Sequence, residues 1–432
     1  MNLLKRRLDD LHARQPSAWC ETGGRARPNL HGLLRYPAMM VPRMQGDILD
    51  AILKGTKSPC HVIDPFVGSG TVMTEALIRG LDFTGIDINP LAVLVCEAKV
   101  AVDGGANVEA AAQLVMRACR FDVGSGIDVE FPNIGKWFDE PTASRLSVIR
   151  RSIMAVPDAA ARKVMWTVFA ETIREGSNSR TSTYKLHLRA PDDQVDADRV
   201  WTMFDENLRS TLDRVESYRR VTARRPDTKP NVRILCEDAR SATIDRGGEQ
   251  HVVVVTSPPY GDNQTTIPYG QFSYLAMRWI PVEDLHPTAV AMMSNTHFLD
   301  TASLGGSLRR IAGKSEKVAE VSSTFRRLIE AAGPEKARGL RKVSVFMADL
   351  LDAFRNVRAS SPGKAHWVLT TGNRRANGVQ VPLDAICREM VQSMGGRPVT
   401  ALKRKLTGKR MPLRNNMGDL MTTETTLVAE FA

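Results

Sequence analysis

Residues 252–255 are four consecutive valines, and the run passes into Thr256-Ser257-Pro258-Pro259-Tyr260. A strand alternates its side chains between two faces, so this one is apolar on both and needs cover on both. A central strand of a parallel sheet, with helices above and below, meets that need. Strand signals recur at 61–63, 83–87, 232–235, 366–370, 399–402 and 425–431. Helices are expected at 36–53, where Met40, Met44, Ile48 and Ile52 fall four apart, and at 72–79, 90–100, 343–357 and 382–394. The β-turn-α-β-α order of the first unit specifies an α/β, doubly wound sheet.

The segments between these signals differ in kind. Residues 1–100 read as an N-terminal piece plus the first half of the sheet. Residues 101–228 are rich in Ala, Arg and Asp, with helical spacing at 142–175 and 198–220, and read as a mainly helical insertion. A polar loop, Ser177 to Thr183, interrupts it. Residues 229–260 return to the sheet, 261–342 form a basic segment that includes Arg309, Arg310, Arg326 and Arg327, and 343–432 complete the sheet.

Two turns carry the chemistry. The first is Asp64-Pro65-Phe66-Val67-Gly68-Ser69-Gly70-Thr71, between a strand and a helix. Its glycines let the backbone approach a ligand, and the helix that follows presents free N–H groups to it. Asp87 closes the next strand, close to the spacing of a ribose-binding acid in dinucleotide folds. No GxxxxGK[ST] string occurs, and Met73 stands where the last glycine of GxGxxG would be. An adenosine cofactor other than a nicotinamide dinucleotide is therefore expected.

The second turn is Ser257-Pro258-Pro259-Tyr260. It leaves the most apolar strand at the sheet edge where ligands of open α/β folds bind. Two prolines remove two donors and stiffen the chain. A rigid turn of exposed carbonyls, a serine hydroxyl and a flat ring suits an exocyclic amine on a planar base. Holding that nitrogen toward a methyl donor would be a proximity effect.

Together the motifs resemble those of the S-adenosylmethionine-dependent amino-methylating DNA methyltransferases. The first turn is similar to their cofactor loop, DPFxGxGT, and the second to their (D/N/S)PP(Y/F/W) turn, whose serine form is most typical of cytosine-N4 enzymes. His31 to Ala38, Cys236 to Arg240 and Thr371-Gly372-Asn373 are weaker matches. The resemblance covers about 31–100, 229–275 and 343–432.

The resemblance implies a Rossmann-like seven-stranded methyltransferase sheet with a helical insertion and a basic recognition region. It implies transfer of a methyl group to a base amine, cytosine N4 first, with adenine N6 on DNA or guanine N2 on RNA as alternatives. Asp64, Pro65, Phe66, Gly68, Gly70, Thr71 and Tyr36 would hold the cofactor, Asp87 its ribose and Asp238 its adenine amine. Ser257, Pro258, Pro259 and Tyr260 would hold a base extruded from the duplex. Tyr269 is expected to stack on that base or its neighbours. Strand contact is assigned to 261–342 through Arg309, Arg310, Arg326 and Arg327, and base reading is left open between that segment and 101–228. A non-catalytic nucleic-acid-binding module that keeps the fold is the remaining alternative.

Charge and cysteine use agree with this. Lys and Arg number 59 against 48 Asp and Glu, a formal net charge of +11, which favours a polyanionic partner such as DNA. The six cysteines, at 20, 60, 96, 119, 236 and 387, include no CxxC pair. Reduced, mostly buried thiols in a cytoplasm, bacterial or phage-encoded, are expected. Cys60, in the only Pro-Cys pair, precedes the glycine loop at the wrong strand end for a nucleophile. Histidine spacing suggests no metal, and no apolar run is long enough for a membrane span. A restriction endonuclease or defence-system proteins are the partners such an enzyme would have.

Overall fold

The computed structural model describes residues 3–14, 18–20, 27–56, 60–124, 126–225, 229–245, 248, 251–308, 313–406 and 422–432. Strand β1 (Cys60–Asp64) leads through the glycine loop into α3 (Thr71–Ile78), β2 (Asp82–Ile86) and α4 (Pro90–Asp103); α1 (Leu3–Arg14) and α2 (Pro42–Leu53) precede it. The insertion carries α5 (Val108–Phe121), α6 (Ile134–Trp137), α7 (Glu140–Met154), α8 (Ala159–Gly176) and α9 (Arg199–Thr222). Then come β3 (Val232–Leu235), β4 (His251–Thr256), α10 (Tyr269–Trp279), α11 (Ala289–Met292), α12 (Phe298–Ala302), α13 (Lys314–Val321), α14 (Ser323–Gly339) and α15 (Arg341–Ser360). The last elements are β5 (Ala365–Gly372), β6 (Arg374–Ala376), β7 (Val379–Val381), α16 (Leu383–Ser393), β8 (Arg397–Lys405) and β9 (Thr423–Phe431).

Seven strands form one sheet in the order β3-β2-β1-β4-β5-β9-β8. The first five run parallel, and β9 is antiparallel to both β5 and β8. All seven expected strands are present, and the mixed α/β architecture fits a methyltransferase fold. The valine run is the centre of it. Val253 and Val255 join the apolar layer that holds α2–α5 and α7–α10, while Val252 and Val254 join the opposite layer, under α13–α16. All four are at most 1% exposed.

The helical insertion shares the first of these layers instead of having a core of its own. Trp166 and Phe169 of α8 pack with Trp279 of α10. Polar ties join α9 to the sheet layer: Tyr218 Oη donates to Asp103 Oδ1 over 2.6 Å, and Arg225 pairs with the same carboxylate at 2.6 Å. Lys163 of α8 pairs with Glu97 of α4 at 2.6 Å.

Two expectations are corrected here. The helix expected at 36–53 begins at Pro42, because Ala38 takes a left-handed φ of 49° and Pro42 fits the first helical position. A hairpin, β6–β7, follows β5 where none was foreseen. Arg309, Arg310 and the basic residues Lys409 and Arg410 lie outside the described residues. Among the described residues no helix is long and apolar enough to cross a membrane, and no cluster of His, Cys, Asp or Glu is arranged to hold a metal.

Candidate active site

The strand order reverses between β1 and β4, and ligands of such sheets bind in the crevice beyond the C-terminal ends of those strands. Both chemical turns start there. Thr256, the last residue of β4, donates its hydroxyl to Asp64 Oδ1, at the end of β1, over 2.6 Å. The two turns are thus fastened side by side at their roots.

The glycine loop is shaped from behind. Gly68 and Gly70 have φ of 49° and 75°, which favours glycine. A Cβ on Gly70 would meet Cys96 Sγ and Met73 Cε at 3.0 Å each, so space as well as conformation demands glycine there. Lys99 of α4, 1% exposed, donates its ammonium to the Ser69 carbonyl at 2.6 Å and to the Thr74 hydroxyl at 3.3 Å. Cys96 Sγ lies 3.3 Å from the Gly68 carbonyl. The carbonyls of Gly68, Ser69 and Gly70 are thereby engaged from α4, and the helix that starts at Thr71 carries first-turn N–H groups that no helical carbonyl can satisfy. Burial lowers the Lys99 pKa to about 8.

Two carboxylates flank this loop. Asp64 is fully buried; its Oδ1 accepts from Thr256 and from the Phe66 N–H at 3.1 Å, while its Oδ2 has no partner among the described residues. Burial raises its pKa to about 7. Asp87 accepts from Gly68 N–H at 2.9 Å and Asn89 N–H at 2.8 Å, and burial raises it to about 6. Asp238 is occupied by a neighbour, since the Arg240 backbone N–H and Nε each donate to it at 2.9 Å.

Tyr36 closes the loop from above. His31 Nε2 meets Glu75 Oε1 of α3 at 2.9 Å and pins the segment that carries Tyr36. The Tyr36 hydroxyl accepts from Asn89 Nδ2 at 2.9 Å, and its ring carbon would lie 3.4 Å from a Cβ on Gly68. Tyr269, expected to stack on a base, has a ring partner inside the protein: it lies against Tyr36 with centroids 5.6 Å apart and planes 30° apart.

Ser257 and Tyr260 of the second turn are half-buried. Ser257 Oγ donates to Tyr260 Oη at 3.3 Å, and Tyr260 Oη donates to Glu424 Oε1 at 3.1 Å. Glu424, on β9, is held in turn by Arg404 of β8. The tyrosine ring is thereby fixed at its tip. Just beyond it the Arg374 guanidinium lies over Gly261, where a Cβ would meet Nη1 at 1.7 Å.

Tyr260 and Tyr36 both line a cavity of about 690 Å³. The polar loop of the insertion lines it too, through residues that include Arg180, Tyr184 and Lys185, and so does Phe272 of α10. Arg326 and Arg327 do not line it: both are exposed on α14, and the Arg326 guanidinium is spent on the Ala319 carbonyl at 2.6 Å. Cys60 sits at the start of β1, its thiol raised by burial to about 11, which disfavours a thiolate.

With this geometry in view, the relatives of the chain become informative. The chain is similar to a Type II methyltransferase. That protein, M.MvaI of Kocuria varians, is 25% identical over 393 residues, which span 88% of this chain and 85% of the relative. No protein-family model matches the chain, and no solved structure matches it.

Sequence reasoning missed Lys99, Asn89 as a side-chain ligand of Tyr36, and the Arg404–Glu424 pair. Lys99 is flanked by apolar residues of α4 and resembles any surface lysine in one dimension. Arg404 stands in the sequence between Lys403 and Lys405, where nothing singles it out from its basic neighbours. Asn89-Pro90 did mark the helix start, and the Asn89 side chain does cap it, accepting from Leu91 N–H at 3.1 Å.

Proposed function

We propose that the chain is a DNA methyltransferase that uses S-adenosylmethionine and methylates an exocyclic base amine, cytosine N4 before adenine N6. The observation that carries this is the Thr256–Asp64 hydrogen bond of 2.6 Å, which sets a glycine loop and a Ser-Pro-Pro-Tyr turn edge to edge at the sheet's switch point. The similarity to a Type II methyltransferase over most of the chain supports the reaction class.

The residues fit the cofactor. A buried carboxylate oxygen without a partner, Asp64 Oδ2, suits an ammonium group, and the glycines leave a cradle that a Cβ would disturb. Asp87 is assigned to the ribose hydroxyls, and Asp238, whose two oxygens are held by Arg240 in this structure, to the adenine amine, which would have to share or displace that arginine. Pro65, Phe66 and Thr71 complete the loop around it. S-adenosylmethionine supplies, when bound, a methyl group activated by a sulfonium.

The chain's own residues act on the target. Ser257 Oγ and the Pro258 carbonyl accept hydrogen bonds from the amine and orient its nitrogen, Pro259 stiffens the turn, and the Tyr260 ring supports the base. Positioning of this kind lowers the barrier by removing orientational freedom before the reaction. The reaction needs no thiolate, and Cys60 stays at the opposite strand end.

The test is incubation of the purified chain with labelled S-adenosylmethionine and, in parallel, mixed DNA and mixed RNA, followed by nucleoside mass spectrometry. N4-methylcytosine is expected. N6-methyladenine would refute the reading of Ser257 while keeping the reaction class. Label in RNA alone would refute the choice of DNA, and no label anywhere would refute the enzyme assignment.

A further inference from the structure

The polar loop of the insertion is a built finger. Asn178 anchors its base: its N–H donates to the Trp137 carbonyl at 2.8 Å, and its Oδ1 accepts from Val195 N–H at 3.1 Å. Ser179 and Leu188 form an antiparallel bridge, reinforced by Arg180 N–H on the His187 carbonyl and Arg189 N–H on the Asn178 carbonyl, both at 2.8 Å. Leu186 N–H reaches Gln271 Oε1 of α10 at 3.1 Å, and the Tyr184 ring sits edge-on to Phe272 at 6.1 Å. The roots, Ser177 to Ser179, are buried, whereas Thr181, Ser182, Tyr184 and Lys185 are exposed.

Charge and exposure together distinguish this tip from the rest of the cavity wall. Arg174 and Arg35 are answered by Glu171, Arg404 by Glu424, and the half-buried Arg27 gives its Nη atoms to the Met40 and Met39 carbonyls. Arg180 and Lys185 pair with no carboxylate among the described residues; Arg180 gives only its Nε, to the Leu188 carbonyl at 3.1 Å. Two exposed cations without a carboxylate partner, flanking the four hydroxyl-bearing side chains Thr181 to Tyr184 and lining the same cavity as Tyr260, match the chemistry of a phosphodiester strand.

We propose that residues 179–188 contact DNA beside the extruded base, Arg180 and Lys185 on backbone phosphates and Thr181 to Tyr184 in the adjoining groove. This rests on the DNA methyltransferase reading, and it moves strand contact from the 261–342 segment to the insertion.

The test measures DNA affinity of the full chain between about 50 and 200 mM salt, for the parent, R180A/K185A and R326A/R327A. Every phosphate that is no longer neutralised lowers the slope of log affinity against log salt by about 0.9, so R180A/K185A should flatten it by nearly two. Its S-adenosylmethionine affinity should match the parent's, and R326A/R327A should keep the parental slope. K185E, an exposed single change, should weaken binding further than K185A. An unchanged slope in R180A/K185A, or a loss confined to R326A/R327A, overturns the proposal. A parent chain that methylates DNA in either case leaves the underlying reading standing, whereas a parent that neither binds nor methylates DNA overturns both.

Discussion

Replacing Asp64 by Asn separates binding from stability. The carboxyl is raised by burial from 3.8 to about 7, so the folded chain holds its proton more tightly than the unfolded chain. Stability contributed by that proton is present at low pH and is lost as pH rises from about 4 to about 7. Above that window the ionised carboxylate costs about 4 kcal/mol, from about three units at about 1.4 kcal/mol each. Asn keeps an oxygen for Thr256 and Phe66, but it places a donor where Oδ2 has no partner, at a cost of about 1–3 kcal/mol. The net expectation at pH 8 is about 1–3 kcal/mol of stabilisation. With an unfolding entropy of about 2.1 cal/mol/K per residue, each kcal/mol moves the Tm of a chain this long by about 1 °C. D64N should therefore melt about 1–3 °C above the parent at pH 8 and lose that advantage at pH 5. Calorimetric titration should show S-adenosylmethionine bound at least about tenfold more weakly, for want of one charge-assisted hydrogen bond. A D64N chain that melts several degrees lower at pH 8 and binds the cofactor as the parent does would refute the argument.

Three further outcomes are expected. K99M removes the ammonium that holds the Ser69 carbonyl, and about 1.4 kcal/mol of lost loop order should appear as a roughly tenfold rise in cofactor Kd with little change in DNA affinity; an unaltered Kd by titration would count against the bracing role. Y260F keeps the ring but loses the bond to Glu424, so single-turnover methylation should fall by about tenfold or less, whereas Y260A should lose at least about a hundredfold while still binding cofactor; equal losses would place the function in the hydroxyl. His251 and His366 meet at 2.8 Å at the opposite edge of the sheet, and burial lowers His366 to about 4. The unfolded chain takes the proton first, so stability should fall as pH drops from about 6.5 toward 4, by about 1–3 kcal/mol, and H366Q should flatten that part of the Tm profile.

What was legible in the sequence was what is local. The central strands β1 and β4 are short apolar runs, and the run of valines announced its two-sided burial without any neighbour being known. The glycine loop and the Ser-Pro-Pro-Tyr turn are contiguous in sequence as in space. The β6–β7 hairpin went unread although Asn377-Gly378 supplies the two positive φ values, 48° and 75°, of a tight hairpin turn, because the flanking strands have only three residues each. Contacts between distant segments were not legible. Tyr36 meets Tyr269, and Tyr260 meets Glu424, only because the sheet order brings them together. A count of basic residues does not tell which of them share a cavity with the two turns: Arg180 lines the one that Tyr260 lines, and Arg326, exposed on α14, does not.

Strand β9 lies between β5 and β8 although it follows both in the chain. On a ribosome, both sequence motifs emerge long before it. Until β9 inserts, β5 has an open edge, β8 has no neighbour in the sheet, and Tyr260 lacks the Glu424 carboxylate that fixes its ring. A nascent chain in that state carries every residue of the two turns with the Tyr260 ring untethered. The geometry of the second turn is then acquired late in synthesis, once β9 has paired with β5 and β8.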